Sequence, residues 1–190
     1  MKNIIVGITG AGGSMLAKYA LEYLFSQDLT VHLVLSSMGE KVYKHETGEI
    51  IEATINGVKT VKIYKNSDLF APIASGSFGV DGMLILPCSV STAAKIANGI
   101  GDTLMTRAAA VCLKERTPLV IAPRETPFST IALSNLLTLS QNGAYIMPPV
   151  PAFYDKKRDF EEICIGIVGR MLHTLGVENY LFTKWEGAQD

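Results

Sequence analysis

The chain has 190 residues, of which 48% are hydrophobic and 18% charged, with 17 basic against 18 acidic side chains. This near-neutral balance argues against DNA or RNA as a partner, and no apolar run approaches the roughly 18 residues a membrane span needs. The length suits one domain with a sizeable core, burying roughly 70% of its unfolded surface.

Charged residues fall below the ~25% usual in soluble chains, and the mean hydropathy is positive at +0.25. A homo-oligomer is therefore expected, with other copies covering part of the surface. Cys88, Cys112 and Cys164 are odd in number and form no C-x-x-C pair, which points to a reducing compartment, the cytoplasm. The N-terminus reads directly as a strand, with no export signal.

Along the chain, residues 4–8, 31–35, 83–86, 119–121 and 144–147 are short apolar runs bounded by Gly, Pro or Ser, the pattern of strands buried on both faces. Helix-like sequence follows them at 14–26, at 91–97 continuing through 104–114, at 129–139 and at 159–175. In the last of these, Phe160, Ile163, Ile167, Val168, Met171, Leu172 and Leu175 share one stripe. This alternation predicts an α/β fold: a Rossmann-like or flavodoxin-like doubly wound parallel sheet in three α/β/α layers, with ligands outside the carboxyl ends of the strands. Within residues 48–65, Asn56-Gly57 predicts a hairpin joining 51–55 to 58–63, an excursion between the second and third parallel strands. Residues 1–182 read as one domain and 183–190 as a tail containing Trp185.

The first strand ends in Gly7-Ile-Thr-Gly10-Ala11-Gly12-Gly13-Ser14. Such a turn makes an anion-binding nest of amides, or only lets a helix pack closely on a strand. The dinucleotide fingerprint fails, because Met15 stands where its third glycine belongs and Ser36-Ser37 replace the acidic ribose partner. No lysine follows the glycines, so NAD and ATP are both disfavoured. After the third apolar run, Ser89, Ser91 and Thr92 either cap a helix or offer donors to a phosphate or flavin.

Arg107 and Lys114 are seven apart on one helix among core-type residues, Arg124-Glu125 ends a strand, and Arg170 interrupts the last apolar stripe. These cations read as buried and so must have anionic partners, either a bound phosphate or salt bridges between subunits. His32, His45 and His173 lack metal-ligand spacing, and no G-x-S-x-G elbow occurs. The segment 148–154, Pro148-Pro-Val-Pro-Ala-Phe-Tyr154, is rigid and extended; it carries a phenol to the sheet edge or is an ordinary surface loop.

Taken in order, Gly7-Ile-Thr-Gly-Ala, Ala71-Pro-Ile-Ala-Ser-Gly-Ser77, Pro87-Cys-Ser89, Thr106-Arg-Ala-Ala109, Leu113-Lys-Glu-Arg116, Arg124-Glu-Thr-Pro127 and Met147-Pro-Pro-Val-Pro-Ala-Phe-Tyr154 closely resemble the UbiX family of flavin prenyltransferases. The resemblance spans nearly the whole chain. It implies a metal-independent, Rossmann-like flavoprotein, typically a dodecamer. Such enzymes join a dimethylallyl group from dimethylallyl monophosphate to reduced FMN, making the prenylated FMN of UbiD-type decarboxylases in ubiquinone biosynthesis.

The resemblance further implies that Gly10, Ala11, Gly12, Ser36, Ser89, Val90, Ser91, Thr92 and Arg124 hold FMN. Lys114, Arg124, Tyr154 and Arg170 would hold the substrate phosphate, and Glu125, Arg107 and Lys114 would be catalytic. The family pattern in the first loop is Gly-Ala-Ser-Gly, and its serine falls on Gly12. That hydroxyl is implied in proton movement near flavin N5; Ser14, two residues on, lies inside the first helical turn. A left-handed backbone at Gly12 would resist a side chain by about 1 kcal/mol. Two other readings stay open. Cysteinyl-substrate decarboxylases share the fold but usually carry a histidine after the second strand and an Asn-containing motif, where this chain has Ser36-Ser37 and Ala74-Ser-Gly-Ser77. A non-catalytic flavin-binding accessory subunit is the other.

Overall fold

The computed structural model describes residues 2–155, 159–185 and 187. Its elements run β1 (Lys2–Ile8), α1 (Ser14–Phe25), β2 (Leu29–Leu35), α2 (Ser37–Thr47), α3 (Ile51–Thr54) and β3 (Val61–Lys65), followed by 3-10 turns at Pro72–Ala74 and Gly76–Phe78. Then come β4 (Gly82–Cys88), α4 (Val90–Ala97), α5 (Leu104–Glu115), β5 (Leu119–Pro123), α6 (Thr130–Gln141), β6 (Tyr145–Ile146), a 3-10 turn at Phe153–Asp155 and α7 (Phe160–Thr174). All pairings are parallel, and the strand order is β3-β2-β1-β4-β5-β6. Of the two common doubly wound orders this is the Rossmann one, with its switch point at β1 between β2 and β4.

Side-chain alternation along the strands builds two cores. Ile4, Val6 and Ile8 face a cluster with Leu16, Leu21 and Leu24 of α1 and Val168 and Leu172 of α7. Ile5, Met83, Ile85 and Ile121 face the other, with Leu104 and Ala108 of α5 and Leu136 and Leu139 of α6. Three layers result. Every residue of β4 and β5 is buried, which is why those strands read as continuous apolar runs.

Two expectations fail. There is no hairpin within 48–65: residues 51–54 form α3, and the turn at Gly57 (φ 79) leads into β3. That strand pairs parallel with β2, Val31 opposite Val61, and parallel neighbours need a crossover, here α2 and α3. Nor do residues 91–97 continue as one helix into 104–114. Asn98 ends α4, and Gly99 (φ 70) turns the chain before Thr103 caps α5.

Candidate active site

Three helices start at the carboxyl edge of the sheet and point their N-termini into one cavity of about 320 Å³. Ser36 caps α2, its Oγ accepting the amide of Gly39 at 3.0 Å. Ser89 caps α4, accepting from Thr92 at 3.3 Å. Thr103 caps α5 in a capping box, its Oγ1 accepting from Thr106 while the Thr106 hydroxyl accepts the Thr103 amide. Capping and ligand binding do not compete at Ser36, because an Oγ that accepts an N–H still has its own proton to donate. Gly10, Ser91 and Thr92 join this lining, with Ser37, Asn66 and Lys95. Lys95 is tied to Asp102 at 2.7 Å. A Cβ on Gly10 would stand 2.5 Å from Cβ of Met38, so glycine is required for the first loop to lie against α2.

The N-terminus of α1 is different. Glu46, near the end of α2, accepts from the amides of Gly13 (2.9 Å) and Ser14 (2.6 Å). The chain's own carboxylate thus fills the positive end of α1, and the glycine turn is not a free phosphate nest. Arg124, beyond β5, reaches the same spot: a Cβ on Gly12 would lie 3.0 Å from Glu46 Oε1 and 3.2 Å from Arg124 Nη2. Gly13 is left-handed at φ 107, whereas Gly12 is not among the positive-φ glycines, so the expected backbone resistance at Gly12 is absent. Ser14 does begin α1; its Oγ is buried with no hydrogen-bond partner among the described residues. Glu125 is exposed, and its carboxylate accepts the amide of Thr126 at 3.1 Å.

A second cavity, about 370 Å³, opens between the segment after β6 and α7. Its walls are mostly apolar, including Met147, Val150, Phe153 and Ile167, and it contains Arg170 and Tyr154. The Arg170 guanidinium lies 5.3 Å above the Phe182 ring, and Trp185 meets Tyr154 edge-on at 5.3 Å. Residues 186 and 188–190 of the expected tail lie outside the described residues.

The remaining cations are elsewhere in the chain. Arg107 donates through Nε to Ala74 O at 3.1 Å. Lys114 is paired with Glu115 beside Gly76 and lines a separate cavity with Leu113 and Arg116. One chain therefore does not bring Lys114 to Arg124, Tyr154 and Arg170. The expected burial of the four cations also fails, since all are exposed. On α5, Ala108, Ala109 and Cys112 turn inward while Arg107 and Lys114 occupy the opposite stripe.

Other reactive groups are quiet. His32 is buried between Asn3 Oδ1 and Tyr64 Oη, each at 3.0 Å, and burial, helped by Lys62, holds its pKa down at about 4. Burial pushes the Cys88 and Cys112 thiols up to about 12, which removes them as nucleophiles. Glu46, Thr103 and Asn66 were not singled out from sequence, and Thr106 entered only as part of a motif. Thr103 carried a signal of its own, as the hydroxyl before an apolar helix.

A model of the flavoprotein family matches residues 1–172. The chain is 44% identical over 182 residues to the flavin prenyltransferase UbiX of Methanocaldococcus jannaschii, covering 96% of this chain and 97% of that one. The chain belongs to the flavoprotein family, among its UbiX-type flavin prenyltransferases. In three dimensions it is similar to the crystal structure of AnUbiX in complex with FMN and dimethylallyl pyrophosphate, with TM-score 0.93, 40% identity and 99% of both chains covered. It is also similar to a dodecameric FMN-dependent UbiX-like decarboxylase from Escherichia coli, with TM-score 0.91, 38% identity, and 97% of this chain and 100% of that one covered.

Proposed function

We propose that this chain is a flavin prenyltransferase that joins the dimethylallyl group of dimethylallyl monophosphate to reduced FMN at N5 and C6. The product is the prenylated FMN used by UbiD-type decarboxylases. The observation that carries this reading is a hydroxyl-lined cavity at three helix N-termini, with a separate apolar cavity holding an arginine and a tyrosine elsewhere on the chain. The first suits the phosphate and polyol of FMN, the second a short allylic chain on a phosphate. The donor set fits the flavin substrate: Ser36, Ser89, Ser91 and Thr92 at helix starts, Gly10, Ala11, Gly12 and Val90 as close backbone, and Arg124 beside them.

Arg170, Tyr154 and Arg124 would bind the allylic phosphate and stabilise charge as its C–O bond breaks. N5 loses its proton as its bond to the allylic carbon replaces the C–O bond to phosphate, the allylic double bond takes up a proton as C6 bonds to its far carbon, and C6 then loses its own; Glu125 together with the departing phosphate would move these protons. Arg107 and Lys114, held on α5 away from these groups, would serve the site of a neighbouring copy in a dodecamer like that of the Escherichia coli relative. Residues 1–182 would act as one domain and 183–190 as its tail. The free, buried cysteines support a cytoplasmic location.

Release of inorganic phosphate tests the reading. It should require both reduced FMN and dimethylallyl monophosphate under anaerobic conditions. No phosphate release, together with carbon dioxide evolved from a peptide ending in cysteine, would favour the decarboxylase reading instead. Flavin binding without either activity would favour the accessory subunit.

A further inference from the structure

Of the three helix ends at the hydroxyl-lined cavity, that of α5 is already served by the chain itself. The Asn66 backbone carbonyl accepts the amide of Leu104 at 2.8 Å, and its Oδ1 accepts that of Met105 at 3.0 Å, much as Glu46 serves α1. That leaves α2 and α4 to meet an anion, each worth roughly half a positive charge. A phosphate monoester carries about −1.5 to −2 at neutral pH, so two helix ends fall short of balancing it. Among the described residues that line this cavity, Lys95 is the only charged one; the others are glycine, hydroxyl, amide and methionine side chains. Arg124 is not in that lining and stands beside Gly12.

The place of Lys95 on α4 directs its ammonium. It follows Ser91 by four residues and Thr92 by three, so the three share a face, and side chains on a helix lean toward its N-terminus, here toward the cavity. Its Nζ donates to Asp102 Oδ2 at 2.7 Å, with the two side chains 44% and 50% exposed. A pair so open to water adds little to stability, and it uses only one of the three ammonium protons. We propose that Lys95 recognises the flavin phosphate, donating to it from the remaining N–H groups while still bonded to Asp102, and so makes the site select FMN over unphosphorylated riboflavin. This role rests on the reading of the cavity as the flavin site. It completes the charge that the helix ends leave unbalanced, and it comes from a residue that the motif resemblance does not include.

The test titrates the full chain, freed of flavin, with FMN and with riboflavin, read by calorimetry and flavin fluorescence. The parent should prefer FMN. Lys95→Met should lower FMN affinity by about one decade and leave riboflavin affinity and the urea midpoint where they were. FMN binding should also weaken less with added salt in Lys95→Met than in the parent. Lys95→Arg, which keeps the charge and the donors, should retain most of the parent's FMN affinity. An FMN affinity in Lys95→Met equal to the parent's, or equal losses for FMN and riboflavin, would overturn the role of Lys95. A parent that binds both flavins equally would overturn the selection while leaving the flavin site in place. A parent that binds neither would overturn the flavin reading itself, and the role of Lys95 with it.

Discussion

At Gly12 a missing hydroxyl leaves two charged side chains within contact distance of where it would hang. An added Cβ would approach Glu46 Oε1 to 3.0 Å and Arg124 Nη2 to 3.2 Å; both are ends of flexible side chains that can yield by a few tenths of an ångström. Gly12→Ser is therefore expected to fold and to speed prenyl-flavin formation, with the 10²–10⁴-fold of general acid–base catalysis as a ceiling. Gly12→Ala brings the same contact without the hydroxyl and should give no gain. Single-turnover kinetics would decide it, equal rates for all three meaning that the hydroxyl is dispensable. Arg170→Ala should weaken dimethylallyl phosphate binding by about one to two decades, the worth of a charge-assisted contact, and leave FMN affinity intact by calorimetry; unchanged phosphate-ester affinity would remove Arg170 from the site. His32 gives a pH dependence. Its folded pKa of about 4 lies below the unfolded ~6.5, so between these values the unfolded chain takes up a proton that the native chain refuses. The stability it contributes is full above pH 6.5 and declines as pH falls toward 4, by on the order of 3 kcal/mol. Urea melts of His32→Gln should show a shallower loss over that window, and an identical slope would contradict the assignment.

Among the elements, the N-caps tie folding to binding. Removing the Ser36 hydroxyl should cost about 1 kcal/mol of stability and, with one donor fewer at the α2 start, roughly a decade in FMN affinity. A urea melt of the flavin-free chain and a fluorescence titration separate the two effects; lost stability with unchanged affinity would confine Ser36 to capping. The buried strands were legible because β1, β4 and β5 have core on both sides, which leaves no polar alternation to confuse them. Helix α2 was not, since it buries only Gly39 and Tyr43 and, Met38 and Val42 apart, its other positions are polar, too narrow a stripe to register as helical periodicity. Edge strand β3 is half exposed along its length and lost out to the Asn56-Gly57 turn signal. The same blind spot hid Glu46, whose position depends on a helix that composition does not reveal. Ser36 and Ser89 stood out as hydroxyls at strand ends, whereas their meeting with Thr103 and Asn66 depends on a strand order that no local pattern encodes.

For the whole molecule, the distribution of cations matters more than their number. Arg124 lies with the first loop and Arg170 with the apolar cavity, while Arg107 and Lys114 face outward on α5. Reading them as buried assumed that every apolar neighbourhood in the sequence is a core. In this chain some of those neighbourhoods are surfaces. The motif resemblance gave the chemistry; the structure adds that one chain supplies only part of the proposed cation set, so activity should fall when the oligomer is diluted below its dissociation range. The proposed reaction is tested most directly by mass spectrometry of the flavin after anaerobic incubation of the protein with reduced FMN and dimethylallyl monophosphate. Transfer predicts a flavin heavier by one five-carbon unit, formed in step with inorganic phosphate, and recovery of unmodified FMN alone would contradict it.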